Sequence, residues 1–588
     1  MKKLLAIFLI VANANIFAQV FSEQQLLPAS HELYDYLYLL ENECGMTSLA
    51  TDAPLTVAEL KLAFDRIPYD ELSDTGKKTY DTAMAVFEKK YLALKFDKVK
   101  TGASLTNTTT LFARTNKNVD FSFNTDYTGR MHYDPNDASK VDGYDSYIVR
   151  TVAPYYGFES PFLIMPLFFD FADTCAIYME PFFRKSLSQI VEDKTPFLQC
   201  TNIPTDFVTF GLLELRDAYG SIGKSFSSWG FNIHIARSGL QFGRTLTGSV
   251  IYNSSFLTDA YIQFNVYSQH LKYNLNVIQR DRQTFIYLHD LEISPWKWLK
   301  LSILEGTLIT GPFEFRYLNP LIVMHQFAGW DDYAPSVGTK KYIYKETNYC
   351  AYLGLALDIV PTKNLRIYVL YAQNEMQTFV ELKNEFGKFY PDSFGLQFGF
   401  EYTLPVKHNA YWLFKAEGLY TTPFLYFKQQ KAYSLMSNNG NAYSWIGTPF
   451  GPDCGAGVLS VKYLSVGKWD VEAQFAFIAH GENSFSLFSK RTKHKHKHID
   501  EYYESFYPYA KQKLDGKSAE NEKLARSHSL SGTLQYTNRL TFKGNYTLND
   551  HFSFNAKADF NFIINNKNKK DNFAFGAEFS TFVRYKIF

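Results

Sequence analysis

Hydrophobic and polar residues alternate along most of this chain with a period of two. Near the C-terminal end Phe573, Phe575, Ala577, Phe579, Thr581, Val583, Tyr585 and Ile587 fall on one side of an extended segment, and Glu578, Ser580, Arg584 and Lys586 on the other. Upstream, Leu540, Phe542, Tyr546 and Leu548 alternate with Thr541, Lys543, Asn545 and Thr547. A turn at Asn549-Asp550 leads back through Phe552, Phe554, Ala556, Ala558, Phe560 and Phe562. The same alternation recurs around Leu271–Val277, Phe285–Ile293, Leu299–Ile303, Leu353–Ile359, Leu365–Tyr371, Phe394–Leu404, Ala410–Ala416 and Val471–Phe477. A soluble sandwich also has one apolar face per strand, but here the second face repeatedly carries charge, which suits a wall between lipid and water. The pattern predicts an all-β transmembrane barrel of about 16–20 antiparallel strands, with about 18 the central value.

The connections alternate in length. Short turns are expected at residues 294–298, 361–364, 405–408, 465–468 and 549–551, and long loops at about 310–349, 374–393, 422–455 and 482–530. Outer-membrane barrels place short turns at the periplasmic end and long loops outside.

The amino-terminal part follows another rule. Lys2 and Lys3, the apolar run Leu4 to Ala12 and small residues ending at Ala18 form the three parts of a secretory signal, assigned to residues 1–19. Leu33, Leu37 and Leu40 then recur at helical spacing, with Ser30 as the expected cap and Gly45 past the end. Thr56 and Glu59 have the spacing of a capping box ahead of Leu60 and Phe64, and a third helix is expected from near Ser73 through Tyr80, Met84 and Phe87. The chain thus divides into a signal (1–19), a periplasmic helical segment (20–95) and an outer-membrane barrel (96–588). Its place is the outer membrane of a diderm bacterium.

Aromatics make up 17% of the chain, with 42 Tyr and 53 Phe, which suits lipid-facing strands and aromatic girdles. A formal net charge of +1 gives no electrostatic basis for nucleic-acid binding. Five cysteines with no C-x-x-C spacing give no metal or redox motif. Cys350 and Cys454 lie where strands meet loops of one side and can pair, or can stay as buried thiols. The tract Lys490 to His498 reads as a solvated basic loop suited to acidic polysaccharide or phosphate, with a transition-metal site on the alternating His494, His496 and His498 as the lesser alternative. No G-x-S-x-G, H-E-x-x-H or P-loop is present, so no enzyme and no cofactor is expected.

Two elements go further than alternation. His289-Asp290-Leu291-Glu292, Glu305 and Tyr317-Leu318-Asn319-Pro320 together resemble the core pattern of the capsule assembly protein Wzi family, as do Glu214 to Tyr219 and Gly239 to Arg244. That resemblance implies an outer-membrane barrel closed at its periplasmic end by the helices, binding capsular or other surface polysaccharide like a lectin and aiding its attachment or assembly. Sugars are held by aromatic faces and planar polar groups. Trp330, Asp331, Asp332 and Tyr333 in one long loop, and Tyr443 and Trp445 in another, are the candidates, with girdle or loop packing as their ordinary alternative. Glu292 and Asp290 have lumen parity, and Arg237 or Arg244 are their expected partners. Glu305 has the parity of Leu301 and Ile303 and suggests an outer rim or bulge, and Asn319-Pro320 fixes a turn. A porin or diffusion channel is the alternative function. Expected partners are the polysaccharide, outer-membrane lipids and the outer-membrane assembly machinery, whose terminal recognition signal Phe588 resembles. A monomer is expected, since a closed barrel has no edge to pair.

Overall fold

The computed structural model describes residues 15–19, 22–88, 91–95, 105–109, 131–133, 163–164, 167–171, 174–183, 213–253, 259–281, 284–310, 312–321, 324, 349–376, 392–428, 431–432, 434–436, 443–482, 527–549 and 552–585. Period-two segments become sixteen strands in one antiparallel ladder, each paired to the next in sequence. They are β1 (Cys175–Phe183), β2 (Leu213–Ser225), β3 (Trp229–Ser238), β4 (Asp259–Ser268), β5 (Leu271–Asp281), β6 (Thr284–Trp296), β7 (Leu299–Thr310) and β8 (Tyr349–Thr362). After these come β9 (Leu365–Glu375), β10 (Ser393–Val406), β11 (Ala410–Thr421), β12 (Cys454–Ser465), β13 (Trp469–His480), β14 (Gln535–Asn549), β15 (Phe552–Ile564) and β16 (Phe573–Tyr585). Shorter strands extend the sheet beyond β1, and Met131–Tyr133 pairs with β16.

Register shows how the alternation is used. Phe398 of β10 pairs with Val369 of β9, and Phe400 with Ile367; these four side chains point outward, whereas Gln397 and Glu401, on either side of Phe398 and Phe400, are buried inside. Outward residues such as Ile303, Leu355, Phe398, Phe414, Leu459, Phe475 and Phe542 stay exposed on the protein's surface. A wall this greasy outside and this polar inside needs a lipid solvent.

Among the described residues three α-helices precede the ladder: α1 (Glu32–Cys44), α2 (Val57–Phe64) and α3 (Asp74–Phe87). Glycine at position 45 ends α1 in the left-handed region, at φ 70°. The cap of α1 is His31, whose Nδ1 accepts from the Leu33 N–H, and not Ser30. The capping box of α2 forms as its spacing predicts, and Ser73 caps α3. Leu33, Leu37, Leu40, Leu60 and Phe64 form one core, which also takes in Tyr411, Leu413 and Val466 at the short-turn end of the barrel.

The same helical unit bonds to walls far apart in the ladder. Glu59 accepts from Asn265 of β4 at 2.6 Å, Asn42 donates to Thr403 of β10 at 3.2 Å, and Thr79 lies 3.1 Å from the Tyr411 hydroxyl of β11. One small unit reaches all of these only if the sheet curls around it. Its floor is pinned to the short turns: Asn364 N–H donates to Asn42 O at 2.6 Å and Thr47 N–H to Lys297 O at 2.7 Å.

Asn15–Gln19, inside the expected export signal, pairs with Tyr91–Lys95. Among the described residues no disulfide joins Cys44, Cys175, Cys350 and Cys454, so Cys350 and Cys454 are not bonded to each other. The basic tract 490–498 and Phe588 lie outside the described residues.

Candidate functional site

The barrel interior is filled in three layers. The lowest is the helical unit, joined to β4–β7 by a buried charge cluster. Lys300 Nζ lies 3.0 Å from Glu292 Oε2, and Lys272 Nζ is 3.8 Å from Asp52 and 3.6 Å from Glu59. Asp290 accepts from Ser302 at 3.0 Å and from Asn274 at 3.3 Å, and Lys300 also bonds to Thr51. Burial opposes ionisation of Asp52, but the Lys272 ammonium leads the groups that outweigh it and hold the carboxyl below its ordinary value.

Asp52, Asp290 and Glu292 bring oxygens within 4.8 Å of one another, the spacing of a cation site among the described residues. Lys272 and Lys300 already supply positive charge there, so the arrangement acts as an ion-pair lock between plug and wall.

The second layer is the connection between β3 and β4, residues 239–253, which turns into the lumen instead of away from it. Ala53 and Gln241 exchange backbone hydrogen bonds at 3.0 and 2.9 Å, and the Gly243 N–H donates to Asp52 at 3.1 Å, so this connection rests on the plug. Glycine is required at 243, where φ is 83°. Arg244 then pairs with Glu401 of β10, Leu246 N–H donates to Glu417 of β11 at 2.7 Å, and Val250 N–H donates to Gln397 at 2.8 Å. Arg366 of β9 ties β8 and β10 to this connection, donating through Nε to Asp358 at 2.7 Å and through Nη2 to Arg244 O at 2.9 Å, with Nη1 in an ion pair 3.4 Å from Glu401.

The third layer comes from the long connection between β11 and β12. The Tyr426 hydroxyl donates to Val250 O at 2.6 Å and accepts from the Thr448 N–H at 3.0 Å. Asp453 accepts from the Ser531 N–H at 2.9 Å, which links this layer to the loop before β14. Ile251, Tyr352, Leu425, Tyr426, Ile446 and Phe450 are all buried in one lumenal core, so among the described residues this part of the interior is packed with protein.

The expected site residues separate accordingly. Glu292 is lumenal as its parity predicts, but its partner is Lys300, not Arg237 or Arg244. Arg244 is lumenal and serves Glu401, whereas Arg237 has the outward parity of Ile233 and Ile235 in β3. His289 and Glu305 pair with each other in register, on the outward side shared by Ile293 and Ile303. Asn319 closes a 3-10 turn over Phe315–Leu318, and its Oδ1 accepts from the Leu321 N–H at 3.1 Å, with Pro320 exposed beside it. Tyr443 and Trp445 lie in a short strand paired with Ser434–Met436. Trp330, Asp331, Asp332 and Tyr333 fall outside the described residues. The residues that sequence reasoning missed are Lys272, Lys300, Arg366, Glu401 and Glu417. Their signal was charge at lumen parity, which marks a wet or paired face but does not name the partner.

The structure is similar over nearly its whole length to Wzi, an outer membrane protein involved in group 1 capsule assembly in Escherichia coli and a carbohydrate-binding β-barrel. The match covers 96% of this chain and 99% of that one at a TM-score of 0.52 and 9% identity. The fold is that of an outer-membrane β-barrel. Looser matches include Acinetobacter baumannii OccAB4 (TM-score 0.32, 10% identity, 71% of this chain and 90% of that one) and Pseudomonas aeruginosa OprD (TM-score 0.29, 9% identity, 72% and 90%). No family model and no curated protein sequence matches the chain.

Proposed function

We propose that this protein resides in the outer membrane, its export signal removed, and holds capsular or other surface polysaccharide at the long-loop end, aiding its attachment or assembly without catalysis. What supports this reading is an interior filled, among the described residues, by the chain's own helices and connections, in a fold similar over nearly its whole length to a carbohydrate-binding barrel. A diffusion channel needs a continuous water path, whereas here helices, an inward connection and an outer loop stack through the interior. A binder needs only a rigid platform for its loops. The chemistry on offer is the sort sugars require, with Tyr443 and Trp445 in one loop and Trp330, Asp331, Asp332 and Tyr333 in another.

Cells carrying and lacking the protein provide the test, with surface-attached and shed polysaccharide assayed separately. Loss of the protein is expected to move polysaccharide from the attached to the shed pool; equal attachment with and without it contradicts the reading. Planar-bilayer recording of the intact protein is expected to show no large open conductance, and a large steady conductance argues for a channel instead.

A further inference from the structure

Residues 312–321 and Met324, which follow β7, lie against the outside of the barrel, not over its mouth. Tyr287 and Val277 take outward parity in β6 and β5, as Ile309 does in β7, yet all three are buried. What buries them is this segment: they form one cluster with Tyr317 and Met324, the Tyr287 and Tyr317 rings lie 5.0 Å apart, and the Tyr287 hydroxyl accepts from the Glu314 N–H at 2.9 Å. The inner face of the strap is thus fully satisfied. Its outer face is not, because Phe315 is 79% exposed and Leu321 89% exposed, with Phe313 beside them.

Height decides what meets that outer face. At the short-turn end Trp296 and Trp298 stack 5.6 Å apart and stay exposed, as aromatic residues do at a membrane boundary. From Trp298 to Ile309 the strand climbs about 36 Å at about 3.3 Å per residue, which a tilt of about 40° reduces to a height of about 27 Å. The apolar band of such a barrel is about 25 Å tall, so the strap sits at its opposite edge. Below it, the outward His289–Glu305 pair lies at the strap's lower edge, and exposed Ile303 and Leu301 continue the apolar surface beneath that pair.

We infer that the strap 312–321 is a lipid-binding element of the outer leaflet, with Phe315 and Leu321 inserted at the boundary between acyl chains and headgroups. The inference rests on the reading of the chain as an outer-membrane barrel. It gives the exposed aromatic and aliphatic groups a solvent that matches them, and it places Arg316, beside them on the strap, at headgroup level.

Spin labels measure this directly. The five native cysteines are replaced by alanine, heat-modifiable migration confirms the fold, and single labels are placed by Phe315→Cys, Leu321→Cys, Ile303→Cys and Ser529→Cys in vesicles of lipopolysaccharide and phosphatidylethanolamine. Labels at 315 and 321 are expected to resemble that at 303, several-fold more accessible to oxygen than to a water-soluble nickel complex when compared with 529. Water-exposed labels at 315 and 321 beside a lipid-exposed label at 303 overturn the strap inference and leave the barrel reading standing. A water-exposed label at 303 overturns both. If the cysteine-free background does not fold, Phe315→Trp in the native background replaces it: quenching of the added emission by brominated lipid supports the inference, and no quenching overturns it.

Discussion

Glu59 of α2 and Asn265 of β4 are joined by a 2.6 Å hydrogen bond although 206 residues separate them in sequence. The other carboxylate oxygen of Glu59 accepts from the Thr56 N–H at 2.8 Å, so one side chain both caps the helix and docks the helical unit on the wall. Replacement by alanine removes the cap and leaves Asn265 and Lys272 short of a partner, a loss of about 2–4 kcal/mol. Glu59→Ala is expected to make the segment 22–88 protease-sensitive while the barrel stays heat-modifiable; unchanged protection contradicts the docking role.

Lys300 and Glu292 form a wholly buried pair. Removing one partner strands the other charge, so Lys300→Met or Glu292→Gln alone is expected to cost about 3–5 kcal/mol, and the double variant less than the sum. Urea midpoints of the refolded protein give these values, and strictly additive losses contradict a direct pairing.

Glu41 in α1 supplies a pH dependence. Burial, offset in part by Arg66, Ser48, Arg244 and Arg366, pushes its carboxyl up to about 7. A folded-state value above the unfolded one means that the folded chain holds the proton more tightly. This contribution is therefore complete below about pH 4.5, declines as pH rises toward about 7 and is gone above it, a span on the order of 3 kcal/mol. Glu41→Gln is expected to narrow the difference in plug stability between about pH 5 and about pH 8. An unchanged difference assigns the effect to other groups.

Much of the fold was written in the chain because its two periods are physically distinct. Alternation specified the strands from Leu271 to Tyr585, and the Thr56–Glu59 spacing specified the start of α2, since both depend only on neighbours a few residues apart. Partner identity depends on curvature and on which connection turns inward. Lumen parity marked Glu292 as an interior carboxylate, but it is the register of the β6–β7 hairpin, with Glu292 opposite Ser302, that places Lys300 beside it. Likewise Gly239 to Arg244 was visible as a motif, while its path across the lumen to Glu401 was not. The outward burial of Tyr287 depends on a segment thirty residues further on, beyond the reach of any local period.

Direct binding of isolated capsular or exopolysaccharide to the purified, folded protein tests the central claim most directly. Polysaccharide from the protein's own cells is immobilised, and the intact barrel is passed over it in detergent, with a heat-unfolded sample as control. Saturable retention of the folded protein is expected, weakened when Tyr443 and Trp445 are both changed to alanine. No retention of the folded protein, at any concentration that keeps it soluble, contradicts the account.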